Sequence, residues 1–257
     1  MSNEHVRSVQ RAIQLLDCLE NADWPLSLQE LSTQTKLPKS TVHRLLTTMA
    51  QADIIEQSQL DGHYRLGLRL LELGFSVGST RDVIPIAKPY MQRISFETDE
   101  SVCLALLNRG EVLILAFNES NSAFHVVSRV GARLPAHCTV QGKIMLAHMS
   151  EAEVTRVLRD HGMRMYTPNT ICTYERMKPE LTRIQRQGYA TENGEFHVGL
   201  SSVAAPIYDA FNNVRYSFAV VSMFHHIGSD EFSHARDLVL EAAEGISTAL
   251  GWKKDGA

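Results

Sequence analysis

The residues best suited to recognition chemistry lie in one short stretch, 37–49. Side chains that donate hydrogen bonds recur there on one face of a predicted helix: Ser40, His43, Arg44 and Thr47. An apolar stripe at the i, i+3, i+4, i+7 spacing forms the opposite face: Val42, Leu45, Leu46 and Met49. The stretch from Lys36 to Met49 contains three cations and no carboxylate. This pattern is typical of a solvated amphipathic helix or of a helix that reads DNA.

The element before this helix favours the DNA-reading interpretation. Ser27-Leu28-Gln29-Glu30 has the form of a capping box, which predicts a helix starting at Ser27 and running to about Thr35. A short turn then leads to Pro38, which suits the first position of the next helix. Two short helices joined so tightly form a helix-turn-helix. We therefore predict these DNA contacts in the second helix: Lys39, Ser40, Thr41, His43, Arg44 and Thr47.

The elements on either side extend this motif. A helical stripe predicts a first helix that carries Val9, Ala12, Ile13, Leu16 and Leu19. After the DNA-reading helix, the strong turn dipeptide Asp61-Gly62 separates two short strand-like runs, 54–57 and 63–66. Such a hairpin is the wing of a winged helix-turn-helix and contacts the DNA backbone or the minor groove. Arg65 is the candidate wing cation.

Composition bounds the class of protein. The 257 residues are 44% apolar and 21% charged, which predicts a globular protein of two modest domains. No apolar run approaches the ~20 residues of a membrane span and the first residues do not resemble a signal peptide, so we expect a cytoplasmic protein without membrane contact. The net charge of −4 argues against a generally basic DNA-binding protein. DNA affinity then requires local cations and paired copies, so we expect a homodimer or homotetramer.

The rest of the chain predicts helices and strands in mixed order. Helices from Leu68 to about Ser79 and from Val83 to Thr98 would form a linker helix and the start of a second domain. Apolar runs and turn signals predict strands at 102–107, 112–117, 124–130, 202–208 and 216–224. Capping and helix-end signals predict further helices at 150–160, 174–187 and 230–250. These elements describe an α+β chain whose second domain contains an α/β sheet.

Three blocks of the sequence resemble the IclR (isocitrate-lyase-regulator) family of bacterial transcription factors: 6–13, 37–46 and 62–74. Blocks 134–143 and 192–207 are similar to later segments of the same family. The resemblance implies that residues 1–75 form a winged helix-turn-helix DNA-binding domain. It also implies that 76–98 form a linker helix and the start of the second domain, and that 81–257 form a GAF-like effector-binding domain.

The resemblance also implies positions for an effector pocket: Val140, Gln141, Glu192, Ser202, Val220 and Ser222. Independently, a helix that begins near Thr139 would offer unpaired N–H groups to an anion, with Thr139 or Gln141 adding side-chain hydrogen bonds. Family members often have small residues at the positions of Val140 and Gln141 and a cysteine at that of Ser202. Alternatively, Ser202 and Val220 belong to the sheet core, and Glu192 to a solvated salt bridge.

Two functions are consistent with these features. The first is a transcriptional regulator of a catabolic or transport operon that binds a double-stranded DNA operator and responds to a small organic acid. The acid would shift the DNA-reading domains through the helical segment 68–98. The second is an enzyme or ligand carrier whose first domain serves only oligomerisation, which the acidic balance favours. We favour the regulator, and we predict no enzymatic activity.

The histidines and cysteines are not predicted to form a catalytic or metal site. His225 and His226 are adjacent, so they would point to opposite faces of a strand and could not readily share a metal. The neighbours His137 and Cys138 rarely converge on one reaction centre for the same reason. The four cysteines are widely spaced, which favours buried free thiols. We therefore expect no cofactor and no metal.

Overall fold

A computed structural model of the chain describes residues 6–79, 83–120, 122, 126, 128–223 and 228–253, with the backbone alone for 75–79. The chain divides into two compact units, Met1–Arg81 and Asp82–Ala257. No helix of the described ranges is long and apolar enough to cross a membrane.

The first unit follows the predicted order of elements. Its helices are α1 (Arg7–Glu20), α2 (Leu28–Thr35), α3 (Lys39–Gln51) and, after the wing, α4 (Leu68–Ser79). The wing consists of β1 (Ile55–Gln57) and β2 (Tyr64–Leu66), which pair in antiparallel register. The predicted capping box is present, because the Ser27 N–H donates to Glu30 Oε2 at 2.7 Å while the Ser27 hydroxyl accepts from the Glu30 N–H. Pro38 caps α3 instead of occupying its first turn.

The core of this unit corrects the stripe predicted for α1. Leu15 and Leu19 are the buried residues of α1, whereas Val9 and Ile13 are about half exposed. Leu15 and Leu19 are spaced by one helical turn, so they lie one above the other and contact the core formed with α2 and α3. Ala12, Leu16 and Leu19 of the predicted stripe do contact this core, so the prediction is wrong only for Val9 and Ile13 and for the omission of Leu15.

The second unit is built on a six-stranded antiparallel sheet. Its strands are β3 (Ser101–Asn108), β4 (Glu111–Asn118), β5 (Arg133–Pro135), β6 (Ala190–Asn193), β7 (Ser201–Tyr208) and β8 (Val214–Ser222). They lie in the order β5-β4-β3-β8-β7-β6. The helices are α5 (Val83–Thr98), α6 (Val140–Ala147), α7 (Glu151–His161), α8 (Tyr174–Gln187) and α9 (Asp230–Ala249).

Helices cover both faces of this sheet, so the unit has two cores. On one face, Val102, Leu104, Val203 and Phe218 pack with residues of α5 and α9. On the other, alternate strand residues such as Cys103, Ile114 and Ala219 pack with α6, α7 and α8. The predicted α+β class is confirmed: a winged helix-turn-helix precedes an α/β domain.

One predicted strand is not seen among the described residues. Of the predicted run 124–130, residues 126 and 128–130 lie outside any strand, and residues 124, 125 and 127 lie outside the described ranges. The edge strand forms instead at β5, where Arg133 pairs with Leu113 and Pro135 with Glu111. The predicted strand 216–224 is displaced toward the N-terminus, and His225 and His226 lie outside the described ranges.

Candidate functional site

Helix α3 presents the predicted DNA-reading residues to solvent. It buries Val42, Leu46 and Met49 against the first core. The side chains of Lys39, Ser40, His43, Arg44 and Thr47 are exposed, and Thr41 is half-buried. The ion pairs within the described part of the first unit involve His63, Arg65 and Arg69, so Lys39 and Arg44 remain without a carboxylate partner there.

One hydroxyl on this face is already engaged by its own helix. The Thr47 Oγ1 donates to the His43 carbonyl oxygen at 2.9 Å. In this rotamer Thr47 can offer DNA its methyl group and its hydroxyl lone pairs, but not its proton. The free donors of the face are therefore concentrated on Lys39, Ser40, His43 and Arg44.

The wing holds its predicted cation in an ion pair. Arg65 lies opposite Glu56 across the hairpin, and the Arg65 Nη2 is 2.7 Å from the Glu56 Oε2. Gly62 permits the turn because its φ is +71°. Because an exposed pair stabilises a protein by only ~0–1 kcal/mol, a DNA phosphate can compete for Arg65.

A second candidate site is a cavity of about 100 Å³ in the C-terminal unit. Five of the predicted effector residues line it: Thr139, Val140, Gln141, Glu192 and Ser202. Much of the remaining wall is apolar: Cys103, Ile114, Phe117, Val126, Leu134, Phe196, Leu200 and Val221. The cavity lies between the sheet and the N-terminus of α6, and its mostly apolar wall includes polar groups from both elements.

The N-terminus of α6 is arranged to receive an anion. Thr139 occupies the N-cap position, but its hydroxyl donates to the Pro135 carbonyl oxygen at 2.7 Å and does not cap the helix. The first N–H groups of a helix have no carbonyl partner within it. These donors and the positive end of the helix dipole therefore remain available at the cavity.

Glu192 is the ionisable carboxyl group of the cavity wall. It is 1% exposed, and its Oε1 accepts from the N–H groups of Glu195 at 2.5 Å and Phe196 at 3.1 Å. The Ser202 hydroxyl donates to the other oxygen at 3.4 Å. Burial raises the pKa of Glu192 to about 7, although the two backbone donors oppose this shift. Near neutral pH this group is therefore present in both protonation states.

Two predicted pocket residues were misplaced. Val220 belongs to the core on the α5 and α9 side of the sheet, and neither it nor Ser222 lines the cavity. Val221 lines the cavity in their place, because successive residues of β8 point to opposite faces. Val220 therefore lies on the face of the sheet opposite the cavity. The effector-binding roles of the remaining five residues stay predictions.

Sequence reasoning missed a buried charge cluster that adjoins the cavity. Lys143 of α6 is fully buried, and its Nζ lies 2.5 Å from Glu195 Oε1 and 3.0 Å from Glu180 Oε1. Burial raises the pKa of Glu195, although Lys143 opposes this shift. The Glu195 N–H also donates to Glu192, so the cluster is hydrogen-bonded to the cavity wall. Lys143 and Glu195 are distant in sequence, so no spacing signal marks the pair.

The cysteines and His137 have the surroundings of structural residues and not of a reactive site. All four cysteines are free; Cys103 and Cys138 are buried, with pKa values raised to about 12 mainly by burial, whereas Cys18 and Cys172 are only half-buried. His137 hydrogen-bonds through Nε2 to the Arg164 carbonyl oxygen at 2.9 Å. Within the described ranges, no group of three His, Cys, Asp or Glu side chains could hold a metal ion.

Both units of this chain are similar to domains of known proteins. Residues 8–59 match the IclR helix-turn-helix domain, and residues 75–248 match the domain described as "Bacterial transcriptional regulator IclR C-terminal". The transcriptional repressor AllR of Salmonella typhi is 31% identical over 96% of this chain and 91% of its own length. The regulator XynR of Escherichia coli K12 is 30% identical over 96% of this chain and 98% of its own.

A solved structure extends the similarity to the whole fold. An IclR homologue from Microbacterium hydrocarbonoxydans, crystallised with 4-hydroxybenzoate, superposes with a TM-score of 0.85 at 27% identity, covering 95% of this chain and 98% of that one. A winged helix-turn-helix followed by a sheet domain with an internal cavity is the architecture of a ligand-responsive transcriptional regulator. The chain belongs to the IclR family of bacterial transcriptional regulators. It is a DNA-binding regulator and not an enzyme, so the enzyme or carrier alternative is not supported.

Proposed function

We propose that this regulator controls a catabolic or transport operon and that its effector is a small carboxylic acid carrying a separate hydrogen-bond donor. The observation that carries the proposal is the pairing, at one cavity, of the α6 N-terminus with Glu192. The helix N-terminus attracts a carboxylate. Ionised Glu192 accepts a hydrogen bond from a hydroxyl or amine group. 4-Hydroxybenzoate, found in complex with the Microbacterium homologue, has both a carboxylate and a hydroxyl group.

The DNA interface would use α3 in the major groove. Arg44 can donate two hydrogen bonds to a guanine edge, and Lys39 at the start of the helix suits a phosphate. Ser40, Thr41, His43 and Thr47 would add base or backbone contacts, and Arg65 would contact the backbone from the wing. Because the protein is net acidic, a single copy has little general affinity for DNA. A dimer or tetramer in the cytoplasm, bound to an operator with repeated half-sites, would supply the missing DNA affinity.

The coupling between effector and operator would run through the two helices α4 and α5. Effector binding changes DNA affinity only if the effector prefers one arrangement of the DNA-reading units over another. The segment 68–98 is the covalent connection between the two units, which makes it a direct route for such a change.

Thermal-shift screening of small carboxylic acids, followed by DNase footprinting upstream of the protein's own gene and its neighbours, tests the proposal. We expect a stabilising acid to change the footprint of the wild-type protein. Glu192→Gln should weaken the response to that acid but preserve the footprint without it. Glu175→Gln, an exposed substitution on α8, serves as the matched control. A footprint that no stabilising acid alters would contradict the proposal.

A further inference from the structure

A second concave site lies on the other side of the edge strand β5. This cleft has a volume of about 230 Å³, more than that of the effector cavity, and is lined largely by polar groups. Two arginines line it, Arg133 on β5 and Arg164 after α7. Glu111, His137, His161 and Tyr166 complete its polar lining. Neither the DNA-reading surface nor the effector cavity uses these side chains.

The two arginines retain hydrogen-bonding capacity toward a ligand. Arg164 is exposed and forms no ion pair within the described ranges; its Cζ lies 5.6 Å from the centre of the Tyr166 ring. Arg133 contacts Glu111, but the Nη1–Oε2 distance is 3.4 Å. This long, exposed pair leaves most of the five N–H donors of Arg133 for another acceptor.

Neighbouring contacts hold these groups in place before any ligand arrives. The buried His137 ring donates to the Arg164 carbonyl oxygen at 2.9 Å, which fixes the backbone that carries Arg164. His161 packs against Gly110 so closely that a β-carbon on this glycine would overlap the His161 ring. Gly110 also has a φ of +85°, so another residue there would be strained and would displace His161.

We propose that this cleft binds a small oxyanion, either a phosphoryl group or a carboxylate, and that it is a site separate from the effector cavity. The planar guanidinium groups of Arg133 and Arg164 match the paired oxygens of such an anion. The aromatic face under Arg164 limits the orientations of its guanidinium and so reduces the entropy lost when the anion binds.

The oxyanion site and the effector cavity share a wall, which makes communication between them direct. Along β5, Arg133 and Pro135 line the cleft while Leu134 lines the cavity, because successive strand residues point to opposite faces. The Tyr166 ring of the cleft also meets edge-on the Phe196 ring of the cavity, with centroids 5.1 Å apart. An anion that moves β5 or Tyr166 therefore changes the affinity of the cavity for its effector. By thermodynamic linkage, effector binding changes the affinity of the cleft for the anion by the same factor.

Calorimetric titration of the full-length protein with inorganic phosphate, at constant ionic strength and without DNA, tests the site itself. We expect saturable binding by the wild type. Arg164→Gln should weaken it about 10-fold or more because the guanidinium no longer donates charge-assisted hydrogen bonds. Arg164→Lys keeps the charge and removes the fork, so its affinity should be intermediate. Arg159→Gln is the matched control, because Arg159 lies on α7 outside the cleft and pairs with Asp160.

Acetate and succinate titrations, run in parallel, distinguish a carboxylate site from a phosphoryl site. Arg133→Gln should weaken the binding of whichever anion the cleft prefers, since Arg133 lines the same cleft from β5. If the wild type, Arg164→Gln and Arg159→Gln bound each anion with the same affinity, the response would be a general ionic effect and the proposed site would be overturned. The absence of any anion binding by the wild type would also overturn it. Operator binding without the anion should be unchanged in Arg164→Gln, so failure here is distinct from failure of the proposed regulatory function.

Discussion

The two units of this protein use lysine in opposite ways. Lys39 in the DNA-reading helix is exposed and has no carboxylate partner within the described part of its unit, whereas Lys143 in the second unit is fully buried between Glu180 and Glu195. A solvated, unpaired cation retains its charge for an external polyanion. A buried cation surrounded by carboxylates has no charge to offer and instead fixes the elements that carry its partners.

This contrast explains how a net-acidic protein can still bind DNA. The buried cluster is neutral overall, because Glu180 and Glu195 face the two cations Lys143 and Arg183, so the total charge of −4 comes from other residues. The DNA-reading face of α3 carries only cationic and neutral side chains. Local charge at the recognition helix, and not total charge, decides the interaction at short range because salt screens distant charges within ~8–10 Å.

The largest effect is expected from breaking the buried cluster. Lys143→Met removes the partner of the buried Glu195 and the half-buried Glu180 and should lower the free energy of unfolding of the second unit by ~3–5 kcal/mol. Urea denaturation followed by circular dichroism measures this change. Lys178→Ala is the control, because Lys178 forms an exposed pair with Glu151 and should contribute less than ~1 kcal/mol. Equal stabilities for the two variants would show that the cluster is not a structural unit.

A smaller effect, dependent on pH, is expected at Glu192. Its pKa in the folded protein is raised to about 7, so the folded state holds a proton that the unfolded state has lost between about pH 4.5 and 7. The protonated group thus favours folding at low pH, and this contribution is lost as the pH rises to 7. Glu192→Gln should remove this dependence, which amounts to on the order of 2–3 kcal/mol.

The Glu192 experiment compares unfolding free energies of the wild type and Glu192→Gln between pH 4.5 and 8. The difference between the two proteins should move in favour of the glutamine variant as the pH increases. Glu175→Gln, at an exposed position, should follow the wild type throughout. Parallel pH profiles for all three proteins would mean that Glu192 titrates near its ordinary value.

At the recognition helix, Arg44→Ala should reduce discrimination between operator and unrelated DNA by ~1–3 kcal/mol, since the side chain could no longer donate two hydrogen bonds to guanine. Competition gel-shift assays measure the ratio of the two affinities. Arg44→Lys retains the positive charge, so it should preserve affinity for unrelated DNA while losing much of the discrimination. Unaltered discrimination in both variants would remove Arg44 from base recognition.

The smallest effect is expected at Lys39. Lys39→Ala should weaken binding to all DNA sequences alike and reduce the slope of log affinity against log salt by about 1 for each phosphate that the protein no longer neutralises. Fluorescence anisotropy at several salt concentrations gives this slope. Lys88→Ala, an exposed substitution on α5 in the second unit, should leave the slope unchanged. A preference for particular operators in the Lys39 variant would indicate that Lys39 binds a base instead.

Local sequence signals predicted much of the fold. Helix α8 ends at Gly188 as predicted, because Gly188 adopts the left-handed conformation that closes a helix. The capping boxes at Ser27 and Ser150 and the turn at Asp61-Gly62 also form where the sequence indicated. Each of these features depends on residues within a few positions of one another, and the local chemistry is sufficient to specify it.

Features that depend on distant partners were not predictable in this way. The second half of strand β8 is buried on both faces, so from Phe218 to Val221 the residues are all apolar and that run by itself does not distinguish the direction of Val220 from that of Val221. The burial of Lys143 was equally hidden, because its partners lie far from it in sequence: Glu180 within α8 and Glu195 in the loop after β6. Four residues that line the cavity were named by resemblance: Val140, Gln141, Glu192 and Ser202. The remaining wall depends on how the sheet and α6 pack, which no local pattern specifies.

Because helices cover both faces of the sheet, the fold influences how the ligand specificity of such a regulator can change during evolution. The effector cavity opens into one core only, while the core between the sheet, α5 and α9 contributes none of the residues that line it. Mutations at Val140, Gln141 or Ser202 thus leave the packing of Val102, Leu104 and Phe218 intact. Substitutions at the cavity wall can therefore change the ligand without repacking the core beneath α5 and α9, which lets one scaffold acquire different responses.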